Sequence, residues 1–159
     1  RRRLDELCDQ LLEEEEDDSG LTSEQRDISI LRSLPGIGRI VLATLLAEAS
    51  QPFTARDYHA LRMLTGVAPI TKRSGKSCRV EMRHACNPRL RNAMYHWARV
   101  AVQRDPISRA RYAAIRARGH SYARALRSVS DRLLCVACSM LRNRTLFDPQ
   151  HSLNSRSVA

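Results

Sequence analysis

A chain of 159 residues that carries 27 Lys and Arg against 17 Asp and Glu, for a formal net charge of +10, has a polyanion as its natural partner. Its apolar content is enough for a real core, which excludes a disordered tail. No apolar run is long enough to cross a bilayer, and Arg1-Arg2-Arg3-Leu4-Asp5 lacks the apolar stretch of a secretory signal, so a membrane partner is excluded and a cytoplasmic location is expected.

Scarce aromatics, short β-branched runs and abundant Ala, Leu and Arg favour an all-α fold. Over residues 1–20, Leu4, Leu7, Cys8, Leu11 and Leu12 repeat at helical spacing and run into Glu13-Glu14-Glu15-Glu16-Asp17-Asp18, as the end of an amphipathic or coiled-coil connecting helix would. The chain opens without Met, part-way through this pattern, and is expected to be a fragment of a longer protein. Ser19-Gly20 breaks the pattern, and residues 21–149 are expected to form one compact helical domain.

In that domain Thr22-Ser23-Glu24 caps a helix through about Ser33. Leu34-Pro35-Gly36-Ile37-Gly38 then reverses the chain, with Gly36 and Gly38 free to take positive φ, and a second helix runs from Gly38 to about Ala49. The opening turn of that helix directs unpaired amides and a positive dipole end forward, so Gly36, Ile37 and Gly38 form a candidate anion grip of the helix-hairpin-helix type. A glycine turn between two core helices accounts for the same residues. Residues Thr54 to Thr65 read as a short helix stopped by Gly66, and from there to Cys86 helical periodicity is lost in a long basic loop.

Beyond the loop, Asn87-Pro88 is a cap followed by a first-turn proline, and Leu90, Ala93, Met94, Trp97, Ala98, Ala101 and Val102 trace one core face. Asp105-Pro106 starts a helix through about Arg118, which Gly119 ends. Ser121 opens a last helix with the stripe Leu126, Val129, Leu133, Val136, Ala137 and Met140. The segment 150–159, rich in Ser and Asn, reads as a flexible tail. Residues 72 to 144 hold most of the basic groups against only Glu81, Asp105 and Asp131, which directs the polyanion to the second half of the chain.

The basic loop places the hydroxyl of Ser74 beside Gly75 and among Lys72, Arg73, Lys76 and Arg79. Phosphoryl transfer asks mainly for positioning and for cations on the non-bridging oxygens, and a glycine beside the nucleophile allows in-line approach, so Ser74 is a candidate attacking group. Basic loops with Ser and Gly are also ordinary phosphate-binding or linker segments. Cys78, His84, Cys86, Cys135 and Cys138 have the ligand types of a zinc site but not its paired spacing, and buried reduced thiols are favoured, leaving no metal site in the chain. His96, Arg99 and Tyr112 or Tyr122 have the residue types of a tyrosine recombinase without the rest of its pattern, and helix-surface positions explain them better.

The ordered set Leu34-Pro35-Gly36-Ile37-Gly38, Ala43-Thr44-Leu45-Leu46-Ala47-Glu48, Leu64-Thr65-Gly66-Val67-Ala68-Pro69, Ser74-Gly75, Asn87-Pro88-Arg89-Leu90-Arg91 and Leu141 through Asp148-Pro149 resembles the C-terminal transposase domain of Piv-like insertion-sequence transposases. The segment Glu81-Met82-Arg83-His84-Ala85-Cys86 departs from the Gly-rich or Lys-Arg-Gly stretch common there. The resemblance implies a DNA recombinase in which Ser74 attacks DNA phosphate and forms a phosphoserine link; beside it, Lys72, Arg73, Gly75, Lys76, Arg79, Arg89 and Arg91 are the residues of this region expected to hold DNA. It also implies a RuvC-like domain upstream of Arg1, whose four acidic residues bind a divalent metal such as Mg, with no cofactor in this chain itself. Some members are directed by a structured guide RNA, the bridge RNA, and recombination of more than one strand makes a homo-oligomer the expected working state. Two further readings stand beside this one: a non-catalytic helix-hairpin-helix module that docks nucleic acid, and a helical oligomerisation domain with incidental charge.

Overall fold

The computed structural model describes residues 22–149, so the expected connecting helix at 1–20 and the tail at 150–159 lie outside the described residues. Within them the architecture is mainly helical, in the order α1 (Ser23–Arg32), α2 (Arg39–Thr54), α3 (Tyr58–Leu64), β1 (Ile70–Ser74), β2 (Ser77–Glu81), α4 (Pro88–Arg104), α5 (Pro106–Ala117) and α6 (Tyr122–Asn143). The helix starts follow local chemistry. Thr22 and Gln25 exchange bonds in a capping box, Asn87 accepts from the amides of Arg89 and Leu90, and Asp105 accepts from those of Ile107 and Ser108. Ser121 caps α6 through the amide of Arg124, and the proline after Asn87 and after Asp105 occupies a first-turn position where no amide partner is needed.

Helix α4 is the centre of the packing, against α2, α5 and α6. Leu90, Met94, Trp97, Ala98 and Ala101 are buried along its length, opposite Leu42, Leu45 and Ala49 of α2 and Val129, Leu133, Leu134 and Ala137 of α6. Ion pairs among the described residues tie the elements at their margins. Arg56 grips Asp27 through both carboxylate oxygens at 2.6 and 2.7 Å, Arg62 meets Asp131 at 2.7 Å, and Arg89 meets Glu48 at 2.8 Å.

Three expectations need correction. The segment between Gly66 and Cys86 is not a loop throughout but carries an antiparallel hairpin, in which Ser74 pairs with Ser77, Lys72 with Arg79 and Ile70 with Glu81. Gly75, at φ 55, stands first in its two-residue turn, the place that a type II′ turn gives to glycine. Helix α2 runs on to Thr54 with a kink at Ala49, because Pro52 cannot donate to the carbonyl one turn back, and Phe53 is buried by that last turn. The next helix accordingly begins at Tyr58, capped by Asp57, rather than at Thr54.

The third correction concerns the glycine turn. Gly36 has φ 78, whereas Gly38 has φ −101 and ψ 163, ordinary extended backbone that caps α2 without a side-chain bond. A side chain on Gly36 would project into the backbone of α4, 2.6 Å from the amide nitrogen and 2.9 Å from the Cα of Ala101. Nothing lies within 4 Å of the same position on Gly38. Trp97 completes the seat by donating from Nε1 to the carbonyl of Pro35 at 3.0 Å.

The two glycines therefore differ in their tolerance of a methyl group. Gly36→Ala combines a left-handed conformation with a clash against backbone and is expected to cost about 2–5 kcal/mol, measured by urea unfolding of the chain. Gly38→Ala is expected to cost less than about 1 kcal/mol, the loss of a good N-cap residue. Equal costs at the two positions would contradict this account of the turn.

Candidate nucleic-acid interface

The hairpin projects as a cationic finger. Residues 71–80 are all exposed, including Lys72, Arg73, Ser74, Lys76 and Arg79. Because side chains alternate across a strand while paired residues share a face, the register places Ser74, Ser77, Lys72 and Arg79 on one face and Arg73 with Cys78 and Val80 on the other. Lys76 and Gly75 form the tip. The hydroxyl of Ser74 is thus brought together with Lys72 and Arg79, and Arg73 is not.

Glu81 shares the face of Ser74 at the root of the hairpin. Its carboxylate binds the Lys72 ammonium at 2.7 Å, and that bond holds its carboxyl below the usual carboxylate range. Asp105 is engaged by the amides of α5 and by the Ser108 hydroxyl, and Asp131 accepts from the Tyr58 hydroxyl while pairing with Arg62. All three carboxylates of residues 72 to 144 are thereby committed, and the arginines of this half far outnumber them.

Arg89 and Arg91 leave the first turn of α4. Arg89, with Asn87, binds the two oxygens of Glu48, and those bonds hold that carboxyl below its usual range. Arg89 remains largely exposed beside this pair, and both Arg89 and Arg91 line a cleft between α4 and α6. At the glycine turn, Gly36 faces α4, Ile37 is half-buried against the core, and Gly38 is exposed at the start of α2. The turn and the hairpin are thus two separate features of the fold, one pinned to the core and one extended from it.

The thiols take several environments. Cys138 is buried, and desolvation pushes its thiol up to about 11; Cys86 packs against Gly66, and Cys78 is exposed on the hairpin. Among the described residues no group of three or more His, Cys, Asp or Glu is placed to hold a metal ion. No helix there is long and apolar enough to cross a membrane.

Sequence reasoning missed Tyr95 and Arg127 in this region. Tyr95 and Tyr122 bring their hydroxyls to 3.5 Å, Tyr122 meets Tyr112 edge-on at 6.1 Å, and Arg127 lies in the α4/α6 cleft. The sequence marks Tyr112 and Tyr122 only as residue types of a tyrosine recombinase. The available signal was the spacing Arg91, Tyr95, Arg99, one stripe at successive turns of α4 on which Arg91 is half-buried and Tyr95 and Arg99 are exposed.

Residues 28–113 match the transposase IS116/IS110/IS902 family. The chain is 37% identical over 157 residues to the mini-circle transposase candidate for IS117 of Streptomyces coelicolor, covering 95% of this chain and 37% of that protein. It is 34% identical over 122 residues to an uncharacterized 43.6 kDa protein of insertion element IS110 from the same species, covering 75% of this chain and 30% of that protein. A 42 kDa uncharacterized protein of insertion element IS900 from Mycobacterium paratuberculosis is 31% identical over 126 residues, 78% of this chain and 32% of that protein. The chain thus spans about a third of the length of these relatives. With the match covering more than half of its residues, the chain belongs to the transposase IS116/IS110/IS902 family.

Proposed function

We propose that this chain is the part of an insertion-sequence transposase that holds DNA and supplies a serine nucleophile from the tip of its hairpin. The observation that carries the reading is the placement of an exposed Ser74 at the end of a strand, on one face with Lys72 and Arg79 and next to Gly75. A hydroxyl so presented reaches a phosphodiester in line, and the flanking cations neutralise its non-bridging oxygens as charge builds. In the reaction Ser74 Oγ bonds to phosphorus, the bond from phosphorus to the leaving sugar oxygen breaks, that oxygen takes up a proton, and the seryl proton passes to a base. The exposed start of α2 at Gly38 is a second, sequence-blind phosphate contact of the helix-hairpin-helix kind.

The Mg that the resemblance implies is assigned in this proposal to a RuvC-like domain of the full-length protein, and no step of it runs through the metal. Recombination by the full-length protein requires that domain. A guide RNA and a homo-oligomeric working complex complete the proposal for the parent protein.

Full-length protein mixed with its cognate DNA is expected to yield a covalent protein–DNA adduct in the wild type and in Ser77→Ala, and none in Ser74→Ala. Persistence of the adduct in Ser74→Ala removes this hydroxyl from the mechanism and leaves a binding module. A second expectation concerns Glu81, which competes with phosphate for Lys72. Glu81→Gln is expected to tighten duplex binding by the 159-residue chain and to steepen the dependence of log affinity on log salt by about 0.9, the release equivalent to one more phosphate contact. An unchanged slope would place Lys72 outside the interface.

A further inference from the structure

Helices α4 and α6 diverge beside the root of the hairpin and leave a cleft of about 600 Å³. Its floor is carbon, from Met94 and Leu126, while Arg89, Arg91 and Arg127 line it with no carboxylate among the lining residues. Among the described residues Arg127 makes no ion pair or hydrogen bond, although it is half-buried, and burial together with the nearby Arg124 disfavours its charge. An arginine in that condition gains from an anion. Tyr95 lines the cleft, 38% exposed, and Tyr122, next in sequence to the lining Ala123 and 44% exposed, brings its hydroxyl to 3.5 Å from that of Tyr95.

An apolar floor, exposed aromatic rings and an unpaired guanidinium match the two chemistries of a nucleotide, a flat base and a phosphate. Paired and stacked bases in a duplex cannot offer their faces to such a cleft; a single strand or an extruded base can. We propose that the α4/α6 cleft holds an unstacked nucleotide of a single-stranded polynucleotide, with its base against Tyr95 and Tyr122 over Met94 and Leu126 and its phosphate on Arg91 and Arg127. The inference rests on the nucleic-acid reading above and adds to it a site separate from the hairpin, specific for single strands.

The test measures binding of the 159-residue chain to fluorescein-labelled oligothymidylate and oligouridylate of twelve nucleotides and to a blunt duplex of twenty base pairs. Tyr95→Ala and Arg127→Gln are each expected to weaken single-strand binding about ten-fold and duplex binding by less than two-fold, while Tyr95→Phe retains wild-type affinity. Tyr95 is partly exposed, so its variants are expected to keep the wild-type circular dichroism, and Arg127→Gln is read only with the same spectrum. Preference between the two oligonucleotides identifies the strand as DNA or RNA. If the wild type binds but the variants lose nothing, or lose duplex and single strand alike, the cleft is overturned and the hairpin reading stands. If the wild type binds none of the three probes at low salt, both readings fall.

Discussion

The fold depends on the seating of the Leu34–Gly38 turn on α4. Trp97 donates to the carbonyl of Pro35, and the missing side chain of Gly36 lets the turn lie against the backbone of Ala101. These contacts orient α1 and α2 on the central helix. At the other end of α4, Asn87 and Arg89 bind Glu48, so α2 and α4 are fastened at two well-separated points. The amide of Asn87 also donates to the carbonyl of Leu64, and Gly66 lies against Cys86, which closes the base of the hairpin between α3 and α4. A fixed root and a solvent-exposed tip follow, the arrangement needed to present a side chain to a large substrate.

Gly36 shows how one motif can serve two ends. From its spacing alone, the Pro35-Gly36-Ile37-Gly38 turn supports both an anion grip and a packing turn. Packing accounts for only one of its two glycines. Gly36 is required by α4, and Gly38 remains exposed at the head of α2 with no side-chain cap. The electrostatics divide similarly, since the few carboxylates of the second half serve caps and ion pairs and leave the cationic surface largely uncompensated.

What could be read from the sequence was local. Thr22, Asn87, Asp105 and Ser121 cap their helices as expected, because a cap involves a side chain and amides only two or three residues away. The core faces of α4 and α6 were likewise legible, since burial imposes a helical period on Leu90 through Ala101 and on Leu126 through Met140. The hairpin was not, because all of residues 71–80 are exposed and no apolar alternation marks the strands; its signal was the glycine first in a two-residue turn between Ser74 and Ser77. The α4/α6 cleft was illegible for another reason. Tyr95 and Tyr122 meet across helices 27 residues apart, a proximity that only packing supplies.

The central claim is that nucleic acid meets this chain at the exposed hairpin. Amide chemical shifts of the isotope-labelled 159-residue chain, followed as a short DNA duplex is added at low salt, test it most directly. The account predicts the largest changes at residues 71–80, with Gly38 and Arg39 moving less and the buried face of α4 unmoved. Changes confined to α5 and the end of α6, with the hairpin silent, would contradict it.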